Sequence, residues 1–133
     1  MTNIAKTIND YLKENIPGIK TSFDLFPDDK FEGVIIVHDP STKKSQRFID
    51  GSSINQINLS FTGRFKNASN CREILTNVLD LLDNKKLMDT SDSIELKISD
   101  GANVQFIGCD DKGSAIYTCS VNVEYWENKN KRN

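Results

Sequence analysis

Ile57-Asn58-Leu59-Ser60-Phe61-Thr62 is the stretch on which the fold turns. Apolar Ile57, Leu59 and Phe61 alternate strictly with polar Asn58, Ser60 and Thr62. Successive side chains of a β-strand point to opposite faces, so this pattern predicts a strand with one buried face and one polar face. Upstream, residues 31–38 contain Val34-Ile35-Ile36-Val37. Four β-branched residues in a row predict a central strand covered on both faces. Asp39-Pro40-Ser41-Thr42 then supplies turn chemistry, residues 45–49 return as a strand, and Asp50-Gly51-Ser52 turns the chain again. Residues 31–50 therefore read as an antiparallel hairpin with a long loop.

Before that hairpin, residues 20–26 form a short candidate strand and Pro27-Asp28-Asp29-Lys30 a turn. Ile4, Ile8, Leu12 and Ile16 recur every four residues among Asn9, Asp10, Lys13 and Glu14, which marks an amphipathic helix ended by Pro17-Gly18. After the alternating strand, Gly63-Arg64-Phe65-Lys66 leads out. Asn70 with Glu73 resembles a capping box for a second helix. Ile74, Leu75, Val78, Leu79 and Leu82 give that helix a broad apolar stripe, and Asp83-Asn84-Lys85-Lys86 closes it with cations near its negative end. Residues 87–92 read as a linker. Residues 93–98 alternate Ile94, Leu96 and Ile98, and Asp100-Gly101 makes a tight turn before residues 103–109. Asp110-Asp111-Lys112-Gly113 turns into a last, long strand over residues 115–126. No helical crossover demands parallel strands. The expectation is an α+β fold: a mostly antiparallel sheet of about six or seven strands packed with two helices, in the order helix, strands, helix, strands. Residues 1–127 form one domain and residues 128–133 a polar tail.

At 133 residues the chain has the size of one domain with one core. A net charge of -2 argues against affinity built on neutralising phosphates, which needs a basic face. Cys71, Cys109 and Cys119 lack paired spacing and His38 is the only histidine, so neither a disulfide framework nor a zinc site is expected. A reducing compartment fits best. Charges break up the apolar residues near the N-terminus and nothing later reaches membrane-spanning length, so the protein is expected to be cytosolic at synthesis.

No catalytic apparatus is expected. Cys71 at a helix start could gain thiolate character from the helix dipole, yet nothing local pairs it with His38 as a base. Cys119 alternates with Tyr117 and Val121 as a packing residue, and His38 ends a strand in a structural role. Asp28-Asp29 and Asp110-Asp111 read as turn residues bonded to their own backbone, since neither pair has the ligand spacing of a calcium loop. No glycine-rich phosphate loop is present, so no cofactor is expected. Lys43, Lys44 and Arg47 form one small basic group and Arg64 with Lys66 another. In a symmetric oligomer such loops can form ion pairs with Asp28, Asp29 or Asp110 of a neighbouring copy. The last strand carries apolar residues on both faces, among them Tyr125 and Trp126, which is the dress of either a doubly covered strand or a partner contact. The candidate subunit-interface residues are thus Asp28, Asp29, Lys43, Lys44, Arg47, Arg64, Tyr125 and Trp126.

The order of a short amphipathic helix, a hairpin region, a strand running into Ser60-Phe61-Thr62-Gly63-Arg64, a long Leu-rich helix and a terminal antiparallel meander resembles the phage tail terminator family. Members from Gram-positive phages and prophages are often labelled minor capsid proteins. The resemblance spans residues 4–126 and rests on element order, size and pattern, with no diagnostic motif. It implies a structural virion protein at the neck of the tail, assembled in the host cytoplasm. Such a protein forms a homo-oligomeric ring, usually a hexamer, on the end of the tail tube, stops tube growth and meets the head connector. The implied partners are further copies, the tube protein, the connector and, in a contractile tail, the sheath. DNA passes through the ring without sequence-specific binding. A head-tail connector or completion protein, and a small intracellular binding module such as an immunity or adaptor protein, are the alternatives.

Overall fold

The computed structural model describes residues 4–38, 43–47, 53–89 and 94–127. Two helices, α1 (Ile4–Asn15) and α2 (Ala68–Leu82), accompany eight strands: β1 (Thr21–Phe23), β2 (Gly33–His38), β3 (Lys43–Arg47), β4 (Ser53–Phe65), β5 (Lys86–Asp89), β6 (Ile94–Asp100), β7 (Gln105–Cys109) and β8 (Ala115–Glu127). The chain is an α+β fold in the expected order. Its strands are antiparallel except that β1 runs parallel to β2.

The alternating stretch is the middle of a longer strand. β4 and β8 are each 13 residues long and pair along their whole length, from Ser53 opposite Glu127 to Phe65 opposite Ala115. This ribbon is the axis of the sheet. On the outer edge of β4, β2 pairs with residues 59–64 and β3 with residues 53–56, so the two lie end to end. On the outer edge of β8, β6 pairs with residues 121–125 and β7 with residues 115–118 in the same manner. Two expectations are corrected here. β2 and β3, which lie within residues 31–50, do not pair with each other as a hairpin, because each pairs with β4; the turn-like residues 39–42 and 50–52 lie outside the described residues. Likewise Asp100-Gly101 does not reverse the chain. Between β6 and β7 the backbone passes beside Ser120, whose Oγ accepts from the Ala102 N–H at 2.8 Å while its own N–H donates to the Ala102 carbonyl at 3.0 Å. A Cβ on residue 101 would stand 2.6 Å from the Ser120 carbonyl oxygen, so glycine is required by close approach.

β5 pairs antiparallel with β6 where a linker is expected, and it supplies the eighth strand. α2 begins earlier than its sequence suggests. Asn67, in an extended conformation, caps it by accepting from the Asn70 N–H at 3.2 Å, so Asn70 is a donor inside the first turn and not the cap. The helix closes at Leu82, with Asp83 as its C-cap and no basic residue in its last turn; Lys86 already belongs to β5.

One face of the sheet carries the core. Ile57, Leu59 and Phe61 from β4, Cys119, Val121 and Val123 from β8, Leu96 and Ile98 from β6, and Val34 and Ile36 from β2 meet Ile4, Ile8 and Leu12 of α1 and Leu75, Val78 and Leu82 of α2. α2 lies across β4, β8 and β6, whereas α1 touches β2 and β5, strands from opposite sides of the ribbon. The sheet therefore curls and α1 spans its open side. Both helices pack on this one face, so the two faces of β8 are not covered by one helix each. The opposite face presents cross-strand pairs of like polar residues: Asn58 Nδ2 donates to Asn122 Oδ1 at 3.0 Å, Ser60 faces Ser120, and the hydroxyls of Thr62 and Thr118 are 3.1 Å apart.

Candidate functional site

β4 runs on through Gly63-Arg64-Phe65, so Arg64 is part of the strand and not of a loop leading away from it. Its side chain lies on the polar face of the sheet but is only 9% exposed, because residues 24–32, the connection from β1 to β2, fold over it. Arg64 Nε donates to the Phe31 carbonyl at 3.1 Å, Nη2 donates to the Asp28 carbonyl, and the guanidinium lies 4.2 Å from the centroid of the Phe26 ring. Asp110 Oδ2 lies 3.9 Å from Arg64 Nε, while Asp110 Oδ1 accepts the N–H groups of Lys112 and Ser114 at 3.0 and 2.8 Å. Lys112 Nζ reaches Asp29 Oδ2 at 3.6 Å. Glu32 Oε1 accepts from the Lys66 N–H at 2.8 Å. Arg64 thus joins two turns to the end of the central ribbon within one chain, through the backbone carbonyls of Asp28 and Phe31 and the carboxylate of Asp110.

The other candidate interface residues fall at two ends of the molecule. Asp28 and Asp29 are exposed beside Arg64. Lys43, Lys44 and Arg47 lie on β3, which pairs with residues 53–56 at the far end of β4. Tyr125 and Trp126 sit at that same far end, opposite Asn55 and Ile54; Tyr125 is half-buried against the core and Trp126 is exposed.

At the Arg64 end the sheet is five strands wide. Thr21, Val34, Gly63, Tyr117 and Phe106 stand side by side in β1, β2, β4, β8 and β7, as do Ser22, Ile35, Thr62, Thr118 and Gln105 in the adjacent row. Among the described residues nothing pairs with the outer side of β1 or of β7. Both edges carry large apolar side chains in solvent: Phe23 at the end of β1 and Leu25 two residues beyond it are 44% and 76% exposed, and Phe106 and Ile107 in β7 are 58% and 59% exposed. A bulge between Phe106 and Gly108 and an edge contact of Phe106 with the Tyr117 ring, 5.2 Å between centroids, set the β7 pair. These two edges are absent from the residues singled out by sequence. Adjacent apolar residues at 106 and 107 in a short strand were the available signal.

A shallow cleft of about 380 Å³ between α1 and β1–β2 is lined by Lys6, Asn9, Asp10, Phe23 and His38. Lys6 Nζ pairs with Asp10 Oδ2 at 3.4 Å, and Asn9 Oδ1 accepts from the Thr21 hydroxyl at 2.6 Å. Cys71 and Cys119 are buried and do not line this cleft. Burial raises the Cys71 thiol, outweighing a backbone hydrogen bond at Tyr117, so the thiolate character imagined at a helix start is not what this environment favours. Burial pushes the Cys119 thiol up to about 12, with the proximity of Cys71 adding to the shift. Cys109 is exposed at the end of β7. No group of three or more His, Cys, Asp or Glu is placed to hold a metal ion among the described residues, and no described helix is long and apolar enough to cross a membrane. No protein-family model and no curated protein matches the chain.

Proposed function

We propose that this chain is a structural phage or prophage virion protein that caps the tail tube as a homo-oligomeric ring, hexameric by analogy with the family it resembles. In this role it ends tube polymerisation and presents a surface to the head connector. The observation that carries the reading is the five-strand row with an open apolar edge on each side. Different edges at the two ends of one sheet favour a heterologous contact, and heterologous contacts repeated by a rotation that closes form rings, whereas a rotation that does not close gives open filaments. The element order of the resemblance, helix, strands, helix, strands around the long strand ending in Gly63-Arg64-Phe65, supports the same role. A ring-former of this kind needs no reaction centre. Its partners are then further copies, the tube protein, the connector and, in a contractile tail, the sheath, with DNA passing through the ring. It works in the virion neck after assembly in the host cytoplasm.

The test is electron microscopy of particles made without the protein. The proposal expects tails of uncontrolled length that fail to join heads. Tails of normal length that join heads overturn it. Normal tails on unjoined heads point instead to a connector or completion protein, and unaltered particles to a binding module outside the virion.

A further inference from the structure

We infer that the β7 edge of one copy docks against the β1 edge of the next, continuing the five-strand row from subunit to subunit; this rests on the ring reading for its closure. β1 is parallel to β2, β2 antiparallel to β4, β4 to β8 and β8 to β7, so β1 and β7 run antiparallel within a chain. A copy set beside the first so that the sheet runs on keeps its strand directions. The junction is therefore antiparallel, and the C-terminal end of β7 meets the N-terminal end of the neighbour's β1.

That direction brings opposite charges together. Asp111 follows β7 and Lys20 precedes β1; both are exposed, and neither has an ion pair among the described residues. Further along the junction from this charge pair, Phe106 and Ile107 face the neighbour's Phe23 and Leu25. Gln105–Cys109 holds no charged residue and no proline, the devices by which a solvent-facing edge ordinarily resists pairing. The bulge in β7 limits the ladder that the edge offers, so apolar contact and the rim charges carry the association. A second copy is the occupant because the two edges match in apolar character, row position and complementary rim charge. One short edge buries well under the roughly 1,200 Å² of a stable complex. A single junction is therefore weak, and simultaneous engagement around a closed ring stabilises it.

The experiment uses the full chain, mixed in nitrogen-14 and nitrogen-15 forms and treated with a zero-length carbodiimide. Mass spectrometry then separates links within one chain from links between chains. An amide between Lys20 of one isotopic form and Asp111 of the other is expected. Ile107→Lys should reduce its yield at least tenfold, and Ile107→Val should leave it. An absence of mixed-isotope Lys20–Asp111 links, or a yield indifferent to Ile107→Lys, overturns the inference. Circular dichroism establishes that each variant is folded, and Lys20→Glu with Asp111→Lys provides a second route: each alone weakens association and the pair restores it. The two proposals fail separately. Mixed links with normal tail lengths in particles lacking the protein leave the junction standing and remove the terminator role; overlong tails without mixed links do the reverse.

Discussion

Replacing Arg64 by alanine releases two turns from the central ribbon at once. The side chain is almost wholly buried and donates to the carbonyls of Phe31 and Asp28. A hydrogen bond to a charged group contributes about 1.5–3 kcal/mol, but both carbonyls lie in a surface connection that water reaches once the side chain is gone. About 1 kcal/mol for each is the appropriate figure. The Phe26 contact adds about 0.5–1 kcal/mol, and loss of the packed aliphatic stem adds about as much again. The Asp110 contact, at 3.9 Å between largely buried side chains, is too long for a hydrogen bond and adds at most about 0.5 kcal/mol, which loosens the 110–114 turn without changing the sum. The total is about 3 kcal/mol, a hundredfold shift in the unfolding equilibrium, or roughly 10 °C in Tm for a domain of this size. Urea denaturation followed by far-ultraviolet circular dichroism measures it. Arg64→Lys, which keeps charge and stem but not the planar fork, should lose about half as much. Hydrogen exchange should speed at the amides of residues 28–32 and 110–114 before it speeds in β4. A loss below about 0.5 kcal/mol, or uniform exchange across the sheet, would refute the view that Arg64 is the internal clamp of this end.

Three further outcomes follow from local geometry. Asn67→Ala should cost about 1 kcal/mol through loss of the α2 cap, with Asn70→Ala near neutral, and urea denaturation of the two variants would show the reverse if the cap were Asn70. Gly101→Val should destabilise by more than about 2 kcal/mol, since its Cβ meets backbone at Ser120 and cannot be relieved by a rotamer change; a thermal melt within 2 °C of the parent would count against that close approach. The folded Cys119 thiol stays protonated to about 12 against an ordinary value of 9.0, so its contribution is complete below pH 9 and is lost as pH rises toward 12. Over that window the unfolded chain binds fewer protons, and stability falls by up to about 1.4 kcal/mol per pH unit from this group. Cys119→Ala should show a shallower decline between pH 9 and 10.5 in urea denaturation, and equal slopes would contradict the burial argument.

The fold class was legible because the strongest patterns are the ones that build the core. Ile57, Leu59 and Phe61 lie inward as their alternation requires, and Ile8 and Leu12 of α1 with Leu75, Val78 and Leu82 of α2 are fully buried. Period reveals that a strand exists, but not its neighbours. Asp100-Gly101 carries turn chemistry, yet the glycine serves close passage beside Ser120, and the difference lies in a contact 19 residues away in sequence. β5 was hidden because four residues are too few to show a period. Asn67 and Asn70 are chemically equal as caps, so only backbone conformation separates them. Arg64 occupies an outward position of an alternating strand and therefore reads as solvent-facing; its burial comes from residues 24–32 folding over that face. The two open edges escaped notice because exposure at a sheet edge depends on which strand has a neighbour.

The proposed role at the tail tube is tested by mixing gold-labelled purified protein with isolated phage tail tubes and imaging the mixture by electron microscopy. A chain that caps the tube leaves label confined to one end of each tube, as a single ring of copies that blocks further growth when tube subunits are added. Label along the tube wall, at both ends or nowhere, with growth unimpeded, would contradict it.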